Sequence, residues 1–185
     1  MKNKAAKIFF AVVMVSFLIA NFGCGKDKEL TDDKFYTKIG YTLQLCLDDI
    51  FSQSVAGKPG GTWNSTVSGP MGGTITITGT DSYSPSIDLT TCDMVFDMQS
   101  VPYTHTASTS SEEWTSNLTF TGPITYKGTY SSSQVNLSHL SSNFTISGSV
   151  KYFKTTKNIS TTGSIVLNRA SQVNCTIFGN SVTWK

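Results

Sequence analysis

The sequence has 185 residues and a formal net charge of +2, and charged residues make up only 14% of it. Three of the 14 basic residues lie within the first seven positions, and without them eleven basic residues face 12 acidic ones. No basic patch then remains to attract phosphates, so the charge pattern gives no support to a nucleic-acid partner. Abundant serine and threonine, with 11% aromatic residues, are typical of a β-sheet with a hydroxyl-bearing face rather than of a disordered chain.

Residues 1–23 have the three parts of a secretory signal peptide. Lys2, Lys4 and Lys7 form a basic start, an apolar run covers residues 8–20, and small residues around Gly23 end it. The apolar run is shorter than the roughly 20 residues that a helix needs to cross a bilayer. We therefore predict that this segment directs export and is then removed.

Cys24 follows directly after this segment. A cysteine in this position resembles the lipobox of bacterial lipoproteins, although that family usually has leucine at the position of Asn21. The resemblance implies that Cys24 carries acyl chains such as palmitate and that residues 24–30 form a short tether. It also implies that the protein is exported and held at a membrane of the cell envelope through this lipid. In a cell with two membranes we expect the outer one.

A single domain is predicted over residues 31–185, which is enough chain to bury a core. It begins with a helix over about 31–56. Thr31 or Asp32 can cap the N-terminus of this helix, and Gly57 ends it.

The apolar residues of this helix recur at steps of three and four positions. They form one stripe at Tyr36, Ile39, Leu43, Cys46, Leu47 and Ile50. Polar residues, among them Lys38, Gln44 and Asp48, lie mostly away from the stripe. The pattern predicts a helix that covers a sheet.

From about residue 61 to residue 185 apolar and polar residues alternate, which is the period of β-strands. Strand-like segments are 74–80, 118–130, 144–153, 163–168 and 173–184. Breaks such as 82–85, 100–102 and 154–158 predict turns, with no helix-like stretch between the strands. We count eight to ten strands. The prediction is a mainly β fold in which the N-terminal helix packs on a curved antiparallel meander sheet or a partly open barrel.

A loose motif of alternating apolar and hydroxyl residues ends in glycine four times, at Gly79, Gly122, Gly148 and Gly179. Around Gly148 the apolar residues keep one parity from Phe144 to Tyr152. This favours a continuous strand bent at the glycine over a two-residue turn, while a three-residue turn stays open. We expect long strands that curve where glycine relieves crowding.

The apolar pattern changes parity once in the middle of the chain. Ile87 and Leu89 are apolar on odd numbers, whereas an apolar set at Cys92, Met94, Phe96 and Met98 falls on even ones. A bulge near Thr90-Thr91 would turn both sets inward.

The chain has four cysteines, Cys24, Cys46, Cys92 and Cys175. Lipidation of Cys24, or cleavage after Gly25, leaves three and allows one disulfide, whereas cleavage after Ala20 keeps all four and allows two. Export is compatible with disulfide formation. The helix stripe and strand parity place the last three in one interior, so we hypothesise that Cys46 bonds Cys92 or Cys175. The alternative is that all three are buried thiols.

The sequence contains no recognisable motif for catalysis, cofactor binding or metal binding. His105 and His139 have no neighbouring ligands at metal-site spacing and are interpreted as exposed strand or loop residues. Asp93 and Asp97 would hold their carboxylates roughly 13 Å apart on one strand face, too far for a retaining glycosidase pair. We therefore predict no catalytic residue, no cofactor and no metal.

The three tryptophans, Trp63, Trp114 and Trp184, suit either a carbohydrate platform or packing at the core and rim. The positions of the tryptophans in the sequence do not identify a ligand.

The sequence as a whole predicts a membrane-anchored envelope lipoprotein that binds or scaffolds a small apolar ligand or another envelope protein without catalysis. A helix over a concave sheet resembles lipoprotein carriers and lipid-binding half-barrels in architecture only. The alternatives are a hydrolase with no recognisable motif and a surface adhesin. A large apolar pocket would favour ligand binding. Histidine and carboxylate groups that converge in a cleft would favour a hydrolase, and a flat threonine-rich face over a filled core would favour an adhesin.

Overall fold

The computed structural model describes residues 29–56, 58, 60–131 and 133–185. The predicted signal peptide, Cys24 and most of the predicted tether lie outside the described residues. The described domain is packed from its first residues, since Leu30 is only 2% exposed. No helix in this part of the chain has the length and apolarity that crossing a bilayer requires.

One helix and eight strands make up the described domain. In chain order they are α1 (Asp32–Ser54), β1 (Gly61–Ser68), β2 (Thr74–Ser84), β3 (Leu89–Ser108), β4 (Glu113–Tyr130), β5 (Val135–Tyr152), β6 (Thr155–Arg169), β7 (Val173–Ile177) and β8 (Asn180–Trp184). Each strand pairs antiparallel with the next one, so the order in the sheet is that of the sequence. The predicted mainly β fold and its antiparallel meander are confirmed. The sheet is open, with β1 and β8 at its edges.

Helix α1 begins where its capping residue predicts. The backbone N–H of Lys34 donates to Thr31 Oγ1 over 3.4 Å. Asp32 and Asp33 in the first turn place negative charge at the positive end of the helix dipole. The helix ends at Ser54, close to the predicted end, and Gly57 lies outside the described residues.

The apolar stripe of α1 is buried against one face of the sheet, which we call the inner face. Ile39, Leu43 and Leu47 have no exposed surface, and they share one core cluster with inward-facing strand residues such as Phe96 and Phe120. Burying a side chain of this size contributes roughly 1.5–3 kcal/mol relative to leaving it exposed. The stripe is therefore the main contact that holds the helix on the sheet.

Hydrogen bonds on either side of the stripe fix the position of α1. Thr42 Oγ1 and Ser116 Oγ lie 2.7 Å apart, and both side chains are fully buried. Trp184 Nε1, near the end of β8, donates to Gln44 Oε1 over 3.1 Å. These bonds satisfy polar groups that burial would otherwise leave without water.

Besides an exposed ion pair to β6, two ion pairs with a largely buried cation join the helix to the sheet side. Lys38 pairs with Glu112, which lies just before β4, and Asp48 pairs with Arg169 at the end of β6. The sequence pattern places Lys38 and Asp48 away from the apolar stripe. Their side chains are only 12% and 35% exposed because they extend past the stripe to the sheet.

Strands β4 and β5 run without a break through Gly122 and Gly148, as predicted. Gly148 has φ of +130°, and a Cβ atom there would lie 2.0 Å from the carbonyl oxygen of Asn117 on β4. No side chain fits this close approach between two strands, so glycine is required.

Gly179 does not follow this pattern. The predicted continuous strand over 173–184 is wrong, because β7 and β8 form a hairpin in which Ile177 pairs with Asn180. The two residues between them, Phe178 and Gly179, have φ of +51° and +86°. Positive φ at both positions is what a two-residue turn of type I′ requires.

The bulge in β3 is not where the parity change predicts it. Strands β2 and β3 pair in unbroken register through Thr90-Thr91. The register of β3 with β4 shifts instead between Met98 and Val101, where Ser100 has φ of +51°, so the predicted turn around Ser100 lies inside β3. Ile87, whose parity suggested the earlier bulge, lies between β2 and β3 and is 66% exposed.

Candidate functional site

The three cysteines of the described domain are buried free thiols. Cys46, Cys92 and Cys175 all belong to the core cluster. No disulfide joins described residues, so the hypothesised bond from Cys46 to Cys92 or Cys175 is not formed in this structure. Burial raises the pKa of Cys92 and Cys175 to about 12 and also raises the pKa of Cys46. A thiol in this state is protonated at neutral pH and is a poor nucleophile.

His139 is fully buried on β5, so its interpretation as an exposed residue is wrong. Its Nδ1 lies 3.2 Å from the carbonyl oxygen of Thr125, and its ring packs on Tyr126 with the centroids 4.8 Å apart. Its Nε2 makes no hydrogen bond with a described residue. Burial and the positive charge of Arg169 lower the pKa of His139 to about 3, so the imidazole is neutral at physiological pH.

We expect His139 to make the domain less stable in mild acid. An unperturbed histidine in the unfolded chain has a pKa of about 6.5, so between this pH and about pH 3 the unfolded state binds a proton that the folded state does not. The free energy of unfolding should therefore fall as pH falls below 6.5, by roughly 1.4 kcal/mol per unit and about 2 kcal/mol at pH 5.

Urea unfolding at neutral pH and at mildly acidic pH measures this loss. His139→Gln is the matched variant, because its amide also donates to the Thr125 carbonyl but does not titrate. The variant should lose most of the pH dependence in this range. Equal dependence in the two proteins would contradict the role assigned to His139.

His105 lines a pocket beside the N-terminal half of α1, which we call the aromatic pocket. Its volume is about 230 Å³. It is lined by Thr37, Lys38, Tyr41, His105, Ala107, Glu112, Trp114, Trp184 and Lys185. The His105 ring packs against Trp114 with the centroids 5.0 Å apart, and burial and the charge of Lys38 lower its pKa. His105 and Glu112 thus line one pocket, but the carboxylate is held by Lys38.

The three tryptophans do not form a common platform. Trp114 and Trp184 line the aromatic pocket, and Trp114 is only 4% exposed. Trp63 lies apart from this pocket on β1, where its Nε1 donates to Asp81. Packing at the core and rim therefore accounts for Trp114, and Trp63 belongs to a different site.

A larger cleft opens at the C-terminal end of α1, and we call it the apolar cleft. Its volume is about 550 Å³. It is lined by Phe51, Val55, Ala56, Lys58, Asp81, Tyr83, Thr90 and Tyr130. Small-molecule sites are typically clefts of roughly 300–1,000 Å³ with apolar and aromatic walls and a few polar groups. The apolar cleft has this size and composition.

Strand register builds one wall of the apolar cleft. Tyr83 on β2 pairs with Thr90 on β3, and Thr90 pairs with Tyr130 on β4. Directly paired residues present their side chains on the same face of a sheet, so these three form a row. Asp81 lies two residues before Tyr83 and therefore belongs to the same face.

The end of α1 forms the opposite wall. The Phe51 ring stacks on Tyr126, with the centroids 4.9 Å apart and the planes 3° apart, and it meets Tyr130 edge-on at 6.2 Å. Tyr83 and Tyr130 are 53% and 42% exposed, although large aromatic side chains are usually more buried. They form an aromatic rim at the mouth of the cleft.

Asp81 is the buried charged group of the apolar cleft and is 8% exposed. Its Oδ1 accepts hydrogen bonds from the backbone N–H of Gly61 over 3.0 Å and from Trp63 Nε1 over 2.6 Å. Lys58 is an exposed cation of the lining, with its Nζ 5.6 Å from the centroid of the Trp63 ring. The cleft thus combines a deep carboxylate with an ammonium group at its surface.

The sequence interpretation missed the residues of the apolar cleft. Tyr83 falls in the segment 82–85, which the serine and proline content predicts as a turn but which the structure places mostly in β2. The usable signal was the alternation of Ile77, Asp81 and Tyr83 on odd positions, which continues the inward face of the strand. An aspartate in such an apolar set indicates a special environment.

The carboxylates Asp93 and Asp97 lie on the outer face of the sheet. Asp93 forms an exposed ion pair with Lys127 over 2.7 Å, and Asp97 accepts a hydrogen bond from Gln99 over 3.2 Å. Within the described residues no group of three or more His, Cys, Asp or Glu side chains is placed to hold a metal ion.

Comparison with known proteins gave no relative: no family model, curated protein or solved structure matches the chain.

Proposed function

We propose that this protein is a lipid-anchored lipoprotein of the bacterial cell envelope whose domain binds a small ligand without transforming it. The observation that carries the proposal is the apolar cleft, with its volume of about 550 Å³, its aromatic rim and one deep carboxylate. Concave apolar sites with few polar groups are typical of small-molecule binding.

The reactive side chains of the described domain support binding rather than catalysis. The three thiols are buried and their pKa values are raised. His139 is sealed in the core, and Glu112 beside His105 is held by Lys38. A general base needs a reacting proton within reach and an orienting partner, which these groups do not offer together.

The position of the cleft suits a ligand that arrives from water. The chain is packed from Leu30 onward, so the segment from Cys24 to Leu30 can span at most about 20 Å. A lipid on Cys24 would hold the N-terminus of α1 within that distance of the bilayer. The apolar cleft lies at the other end of this 23-residue helix, which is about 34 Å long.

A surface adhesin is the second candidate, favoured by the outer face of the sheet. One row of paired polar residues crosses all eight strands: Thr62, Thr80, Asp93, Lys127, Ser138, Asn168, Asn174 and Thr183. Several of these groups bond one another, including Ser138 with Asn168 over 2.9 Å and Thr183 with Asn174 over 3.1 Å. Such internal bonds leave fewer groups for a partner, so the apolar cleft is the better supported site.

Titration of the purified protein with n-octanol, followed by amide chemical shifts, tests the proposal. We expect a saturable response with the largest shifts at Phe51, Val55 and Tyr130. Ala56→Trp places a large side chain in the lining of the apolar cleft and should abolish the response. Ala107→Trp makes the same change in the aromatic pocket and should preserve it. No saturable response, or loss of the response only in Ala107→Trp, would contradict ligand binding in the apolar cleft.

A further inference from the structure

Asp81 is a buried carboxylate without a cationic partner. It is 8% exposed, and no described lysine, arginine or histidine lies within ion-pair distance of it. Its hydrogen-bond donors, the Gly61 amide and the Trp63 indole, are both neutral and both bind Oδ1. Carboxylates this deeply buried are almost always paired with a positive charge, because desolvation of an isolated charge is costly.

The second oxygen of Asp81 is available to a ligand. Oδ2 makes no hydrogen bond to a described residue. The sealed side-chain polar atoms without a partner in the described domain are Ser65 Oγ and His139 Nε2, and Asp81 Oδ2 is not one of them. Because Asp81 lines the cleft, Oδ2 is the oxygen that can accept a hydrogen bond from a ligand there.

The walls around this carboxylate suit an organic cation. Phe51, Tyr83 and Tyr130 line the same cleft, and the faces of aromatic rings attract positive charge. The aliphatic side chain of Val55 adds apolar surface for the rest of a ligand. A cation with an apolar portion would therefore match both the charge and the surface of the site.

Lys58 does not neutralise Asp81. Its side chain is exposed, its Nζ lies over the Trp63 ring at 5.6 Å, and it forms no ion pair with Asp81. An exposed ammonium is screened by water and salt, whereas the buried carboxylate is screened much less. The negative charge of Asp81 consequently determines which ligand charge the interior of the cleft prefers.

We infer that the ligand of the apolar cleft is an amphipathic amine whose protonated nitrogen donates to Asp81 Oδ2 while its apolar portion lies against Phe51, Val55 and Tyr130. This inference rests on the proposed function, which assigns ligand binding to the cleft. The ammonium adds an attraction between opposite charges that the alcohol lacks, so the amine should bind about tenfold more tightly than the corresponding alcohol.

Calorimetric titration at neutral pH with n-octylamine, n-octanol and n-octanoate tests the inference, because these probes share one chain and differ in charge. We expect octylamine to bind most tightly and octanoate most weakly. Asp81→Asn retains an oxygen that accepts from Gly61 and Trp63 but has no charge, and it should lower the affinity for octylamine to that for octanol. Asp97→Asn removes the same charge from the outer face and should change nothing.

Each outcome separates the ligand class from the proposed function. Binding of octylamine and octanol with equal affinity would overturn the inference that the ligand is an amine, but it would still support ligand binding in the cleft. Tightest binding of octanoate would overturn it in favour of an anion at Lys58. Binding of none of the three would contradict the proposed function itself. Lys58→Gln provides a second test should Asp81→Asn not fold: it should leave octylamine binding unchanged or stronger, and weaker binding would overturn the inference.

Discussion

Replacing Leu43 by alanine should lower the free energy of unfolding by about 2–5 kcal/mol. Leu43 lies in the middle of α1, has no exposed surface and belongs to the core cluster between the helix and the inner face of the sheet. The substitution removes apolar contacts and leaves a cavity that rigid neighbouring strands fill only in part. Urea unfolding followed by tryptophan fluorescence measures the loss.

Leu140→Ala is the matched control, since it makes the same change on the outer face of the sheet. Leu140 is 46% exposed on β5, so its truncation should cost about 0.5 kcal/mol, as surface changes do. Similar losses in the two variants, or a loss below about 0.5 kcal/mol for Leu43→Ala, would show that α1 does not depend on the sheet.

The helix and its buried face could be predicted from sequence because both depend on neighbours along the chain. Thr31 caps the first turn from three residues away, and the stripe repeats every three or four positions. The antiparallel meander follows from short connections between alternating segments. The continuous strand through Gly148 could be predicted for a similar reason, since the apolar residues on both sides of the glycine share one parity.

The apolar cleft could not be predicted in the same way because it depends on strand register. Tyr83, Thr90 and Tyr130 become neighbours only when three strands pair in one alignment, and a slip by one residue would turn them to the other face. The parity of Ile87 suggested a bulge that would have changed this alignment. Ile87 lies in the connection between β2 and β3, however, and so belongs to neither face of the sheet.

The burial of His139 follows from strand alternation, although its neighbours in sequence are polar. Leu137 and His139 share the inward parity of β5, so alternation alone indicated that the imidazole points to the core. The neighbouring serines suggested exposure instead. Whether such a histidine is tolerated depends on Thr125 on β4, which accepts its hydrogen bond and is not close in sequence.

Replacing Cys24 by alanine should remove the membrane attachment. The proposed lipoprotein carries several acyl chains on Cys24, each buried methylene contributes about 0.8 kcal/mol, and one chain alone binds only reversibly. The variant should lose the acyl mass and either accumulate uncleaved or move to the soluble fraction. Asn21→Leu brings the segment closer to the usual lipobox and should retain or increase lipidation.

The most direct measurement is the intact mass of the membrane-bound protein and of Cys24→Ala after cell fractionation. We predict that the natural protein is found with the membranes and is heavier than its chain from Cys24 onward by the mass of the acyl chains, and that the variant lacks this added mass. An identical membrane distribution of the two proteins, with no acyl mass on either, would contradict lipid anchoring at Cys24.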